Sequence, residues 1–91
     1  MEFLVHIEIA LPDAMPAEEK QRLAQAEAER GAELRAAGTL SRIWRVPGRR
    51  ANWSLYSVAD ADELHAALSS LPLFPWMDIE VHPLATHPAE L

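Results

Sequence analysis

Hydrophobic and polar positions alternate along residues 2–10, EFLVHIEIA, with Phe3, Val5, Ile7 and Ile9 on one face and Leu4, His6 and Glu8 on the other. A period of two is that of a half-buried strand. The period then changes. Leu11-Pro12-Asp13-Ala14-Met15-Pro16 reads as a loop, and residues 17–37 read as a long helix, rich in Ala, Glu, Arg and Leu and ended by Gly38. Residues 39–46 form a second strand, Pro47-Gly48 a turn, and residues 51–58 a third strand. Asp60 fits an N-cap, and Glu63 three places on completes a capping-box pattern for a second helix over 61–70. Residues 77–83 make the fourth strand. Between the second helix and this strand lies LPLFPW, in which Pro72 and Pro75 break both helix and ladder and force a rigid, apolar turn. The tail after Pro83 reads as an ordered or semi-ordered arm.

The order βαββαβ predicts an α+β, ferredoxin-like domain over residues 1–91: one four-stranded antiparallel sheet with both helices on one face. The other face is expected to carry Leu4, His6 and Glu8 from the first strand, Arg42 and Trp44 from the second, and Asn52, Ser54 and Tyr56 from the third. Such a face is too apolar to stand free in water and too polar to be plain core. It either packs against a second subunit or lines a ligand cleft, so a homo-oligomer is expected, a symmetric dimer at least.

Composition narrows the classes. A chain of 91 residues buries a limited core, and small domains often lean on partners. There is no cysteine, which removes disulfides and thiolate metal sites and fits a reducing compartment. No run approaches the roughly 18 apolar residues of a membrane helix, and the N-terminus opens into a strand pattern instead of a signal-peptide layout. A cytoplasmic protein without a membrane partner is expected. The net charge of −6 argues against a general nucleic-acid binder.

The charge is unevenly spread. Residues 36–59 contain no Asp or Glu but hold Arg42, Arg45, Arg49 and Arg50. A basic segment in an acidic protein points to a site for a small anion, since guanidinium forks match carboxylate geometry. For Arg49 and Arg50, which flank the turn, a solvated and acid-balanced role is equally compatible. Arg42 and Arg45 lie within a strand.

The first helix holds the catalytic candidate. Its apolar stripe runs through Leu23, Ala26, Gly31, Leu34 and Ala37, and Glu27 falls on it, with Arg30 on the same side. A desolvated carboxyl has a raised pKa, which suits proton transfer near neutral pH. The plainer alternative is an i,i+3 pair of Glu27 and Arg30 on the helix flank, worth a few tenths of a kcal/mol. Elsewhere the signals are weak. His82 and His87 have no obvious third ligand, so no metal site is expected. His65 fits a surface position, and His6, on the cleft-side face, is placed to hydrogen-bond a substrate. No serine has a nucleophile-elbow context, and the three glycines make no phosphate loop.

With Trp44-Arg45, Ala51-Asn52-Trp53-Ser54, GTLSRIWR, ELHAALSSLPLFPWMDIEV and the closing His87-Pro88, the chain resembles the muconolactone isomerases, small cofactor-free isomerases of aromatic catabolism. The LPLFP-x-MDIEV segment is the specific part. The resemblance implies a shift of the ring double bond of muconolactone to give 3-oxoadipate enol-lactone, in the β-ketoadipate pathway. It also implies that Glu27 carries the proton, with no metal or redox cofactor. Arg42 or Arg45, with Asn52 and Ser54 nearby, would then hold the carboxylate and carbonyl of the lactone, and Trp44 and His6 would also contact the substrate. A closed assembly of dimers, often a decamer, follows from the same resemblance. The chain departs from the family pattern at Trp53 and Trp76, where members usually have Tyr, at Arg42, often His, at Ala28, often Lys, and at Arg30, commonly apolar. These positions touch the expected cleft. A substituted or chlorinated lactone, with loss of halide, is therefore a related alternative, and a non-catalytic oligomer that binds an acidic or aromatic ligand is the alternative outside enzymes.

Overall fold

The computed structural model describes residues 1–90. Four strands, β1 (Glu2–Ile9), β2 (Leu40–Arg45), β3 (Ala51–Ser57) and β4 (Met77–Leu84), form one antiparallel sheet in the order β2-β3-β1-β4. Two helices, α1 (Ala17–Ala36) and α2 (Ala61–Ser69), complete the βαββαβ order. Both pack on the same face: Leu34 of α1 and Leu64, Ala67 and Leu68 of α2 join Phe3, Val5 and Ile7 in one core. No helix among the described residues is long and apolar enough to cross a membrane.

Local chemistry sets the element ends. Gly38, at φ 80°, stops α1 in the left-handed conformation that glycine adopts without steric cost, and its N–H bonds the Arg35 carbonyl. Pro47 followed by Gly48 at φ 77° gives the residue order of a type II turn between β2 and β3, closed by the Arg49 N–H on the Val46 carbonyl. Asp60 caps α2 by accepting from the Glu63 N–H at 2.9 Å, while the Glu63 carboxylate reaches back to the Ala59 N–H. Two short 3-10 turns not evident in the sequence pattern, Phe74–Trp76 and Pro88–Glu90, lie at the Pro-rich corner and in the tail.

The register corrects the expected face assignment. Tyr56 pairs with Phe3, Ser54 with Val5 and Asn52 with Ile7, so all three lie on the helix-covered face. The outer face instead takes Trp53 and Leu55 from β3, opposite His6 and Leu4. Polarity could not separate the faces, because the outer one is itself apolar and the inner one is not completely filled. On β2 the expected outward placement of Arg42 and Trp44 holds, through a bulge between Leu40 and Arg42. The bulge shifts the side-chain parity of β2 by one, so that Arg42 and Trp44 point outward opposite Leu55 and Trp53, and Ile43 and Arg45 point inward opposite Ser54 and Asn52. The helix stripe is also shorter than the spacing implies. Leu34 is buried, Leu23, Ala26 and Gly31 are half-buried, and Ala37 is exposed beyond the end of the helix.

Candidate active site

The half-filled stripe of α1 has a cause. Between α1 and the inner face of the sheet lies a cavity of about 260 Å³. Glu27 and Gly31 form its helix side, Arg45, Asn52, Ser54 and Tyr56 its sheet side, and Leu71 and Met77 its apolar end. That volume falls just below the roughly 300–1,000 Å³ of sites for drug-sized ligands. It suits one small ring with a short arm.

Glu27 sits where helix and Pro-rich corner meet. Pro72 has no N–H and cannot continue α2, so the chain turns away after the Leu71 N–H bonds the Leu68 carbonyl. The next N–H, that of Leu73, is left without a helical acceptor and donates to Glu27 Oε1 at 2.9 Å. Two effects act on the carboxyl. Burial is the larger and raises its pKa; the Leu73 hydrogen bond opposes it, and the result stays above the ordinary carboxylate value. Arg30 does not neutralise it. Its guanidinium donates to Ser70 Oγ at 2.9 Å and pairs with Glu33 at 3.4 Å, so the plainer alternative, a Glu27–Arg30 pair, is not formed.

On the sheet side, Ser54 Oγ donates to Asn52 Oδ1 at 2.6 Å. This leaves the Asn52 amide nitrogen as the donor available to a ligand. Arg45, directly across the β2–β3 pair from Asn52, makes no ion pair among the described residues. The cavity thus combines a carboxyl of raised pKa, an apolar floor, an amide donor and an unpaired guanidinium. That set can take a proton from a carbon acid while holding an anionic arm.

Four of the expected site residues therefore meet here, Glu27, Arg45, Asn52 and Ser54. The other three do not. Arg42 stacks over the Trp44 ring at 4.8 Å on the outer face. His6 lies against the edge of Trp53 on that same face, with ring centroids 4.7 Å apart. Arg49 is balanced by Glu8 at 2.9 Å, which holds the Glu8 carboxyl below its ordinary pKa. His82 pairs with Glu80, and no group of three metal-ligating side chains forms among the described residues. The features that pattern reading missed are the Leu73 N–H and the inward Tyr56; the cross-strand register is the signal that reveals the second.

A profile of the muconolactone delta-isomerase family matches residues 1–90. The chain is 41% identical to a muconolactone delta-isomerase of Cupriavidus pinatubonensis, covering 100% of this chain and 99% of the relative. Against that of Pseudomonas aeruginosa the identity is 37%, over 100% and 95% of the two chains. The crystal structure of a muconolactone isomerase superposes with a TM-score of 0.92 at 39% identity, covering 98% of this chain and 93% of the other. The full-length match in sequence, together with a shared fold, shows that this chain belongs to the muconolactone delta-isomerase family of isomerases.

Proposed function

We propose that this chain isomerises muconolactone to 3-oxoadipate enol-lactone, with Glu27 as the group that moves the proton. The observation that carries the reading is Glu27 itself: a half-buried carboxyl of raised pKa, fixed by the Leu73 N–H and open to a cavity of fitting size.

In the ground state the ring double bond is conjugated with the lactone carbonyl. Glu27, ionised, takes the proton from the ring carbon that bears the carboxymethyl arm. The electron pair spreads over the ring as a dienolate, with charge on the carbonyl oxygen. The protonated Glu27 then returns the proton to the carbon next to that carbonyl, leaving the double bond between the other two ring carbons. Substrate and product are isomers, so the net reaction needs no oxidant or reductant. The raised pKa suits both steps, because a carboxyl poised nearer neutrality is a stronger base and still gives its proton back. Leu73 holds only Oε1, so Oε2 is free to travel between the two carbons. Arg45 and the Asn52 amide bind the carboxylate of the arm, a charge-assisted contact.

Self-association belongs to the same proposal. On the outer sheet face Trp44 is 41% exposed. The radius of gyration, 14.2 Å, exceeds the roughly 12 Å of a compact chain this long. An elongated chain with an apolar sheet face fits a subunit of a symmetric assembly, built from dimers, that covers this face.

The test is an absorbance assay of the purified protein with muconolactone and with its methyl and chloro analogues. Isomerisation removes the conjugation and lowers the absorbance. Halide release from the chloro analogue, faster than isomerisation of the parent, would instead identify a dehalogenase. Binding without turnover of any of the three would leave a non-catalytic ligand carrier.

A further inference from the structure

The sheet side of the cavity carries one polar group that the chemistry above leaves idle. Tyr56 is 2% exposed, and its ring packs in the main core with Phe3, Leu34 and Leu71. Among the described residues its hydroxyl makes no hydrogen bond, yet no sealed-in side-chain oxygen or nitrogen there lacks a partner. The two facts agree only if the oxygen is the part of the side chain that still opens into the cavity it lines. An unpartnered phenol in a core is costly unless something that enters can accept its hydrogen bond.

We propose that the Tyr56 hydroxyl donates a hydrogen bond to the lactone carbonyl oxygen and stabilises the negative charge that gathers there when Glu27 takes the ring proton. The proposal rests on the isomerase reading of the cavity. Its geometry follows from the substrate's shape. The carbonyl lies on the far side of the ring from the carboxymethyl arm. Arg45 and Asn52 pair at one end of the inner face, while Tyr56 stands four residues further along β3, opposite Leu40. A ligand whose arm meets Arg45 and Asn52 turns its carbonyl toward the Tyr56 end. Glu27 is close enough for its charge to be felt at the phenol, which burial and that charge push up to about 12. The hydroxyl therefore keeps its proton wherever Glu27 ionises, and remains a donor through both proton transfers.

The experiment uses Tyr56→Phe, which keeps the ring in the core and removes only the oxygen. Two quantities are measured on full-length wild-type and variant protein: turnover of muconolactone, and calorimetric affinity for tetronate, the planar enolate anion of a five-membered lactone. An oxyanion donor contributes about 10²–10³ to kcat. The expected result is a fall in kcat of at least about ten-fold with little change in KM, and tetronate binding at least about ten-fold weaker. Unchanged melting temperature shows that the fold is intact. Turnover equal to wild type, or equal tetronate affinity (absent binding to both included), overturns the proposal. If the wild type does not turn over muconolactone, the isomerase reading fails by itself, and weaker tetronate binding by Tyr56→Phe would still support the donor role.

Discussion

The backbone N–H of Leu73 donates to Glu27 Oε1 at 2.9 Å, joining α1 to a Pro-bracketed corner 46 residues further along the chain. The contact ties the most distinctive segment of the sequence to its best catalytic candidate. Pro72 is what frees the N–H, and the short 3-10 turn over Phe74–Trp76 fixes its direction. The carboxyl is thus oriented by backbone and not by a cation. Burial, the larger of the two effects on it, keeps its pKa raised.

The raised pKa has a consequence for stability. Above the ordinary value of 4.5 the unfolded chain loses this proton first, so the folded state binds more protons and is weakened as pH rises through its own, higher pKa. Below the ordinary value the carboxyl is protonated in both states and the penalty is absent. Glu27→Gln keeps an oxygen for the Leu73 N–H and removes the charge. Denaturant unfolding should show the variant more stable than wild type at neutral pH, with the difference vanishing in acid. A variant less stable at neutral pH would mean that burial is not the dominant effect.

The two strand arginines should separate cleanly. Arg45 lines the cavity, whereas Arg42 lies over Trp44 on the opposite face. Arg45→Ala should raise KM by roughly ten-fold or more, as loss of a charge-assisted contact does, with a smaller effect on kcat. Arg42→Ala should change KM by less than about three-fold. Steady-state kinetics of the two variants check this, and the reverse ranking would show that the carboxylate binds elsewhere.

The exposed sheet face should be covered in solution. Leu4, Leu55, Trp44 and Trp53 share it with Arg42 and His6. Light scattering at micromolar concentration should give a mass of several chains. Leu4→Glu, which puts a charge in that face, should lower it. A wild-type mass of one chain would rule the assembly out.

Much of this architecture was legible in the order of periods. Period two, then period 3.6, with Gly38, Pro47-Gly48 and the Asp60–Glu63 box as punctuation, gave each strand and helix to within about a residue or two. Glu27 was legible as a charge on an apolar stripe. What pattern could not supply was the inside and outside of β3, and the bulge that sets β2. Alternation assigns two faces but does not say which is which when both are partly apolar, and a single bulge between Leu40 and Arg42 reverses the parity of the rest of β2. That is why Asn52, Ser54 and Tyr56 were expected beside His6, and why Arg42 and Arg45 looked interchangeable. The Leu73 donor was invisible for another reason: a backbone N–H leaves no mark in the residue type.

The central claim is that Glu27 moves the proton, and turnover of Glu27→Gln on muconolactone tests it most directly. The amide keeps the shape and the Leu73 contact but cannot accept the ring proton. A positioned acid–base group contributes about 10²–10⁴ to the rate, so kcat should fall by at least that lower bound while substrate affinity changes little. Near-normal turnover in the variant would contradict the account, even with the wild type a proven isomerase.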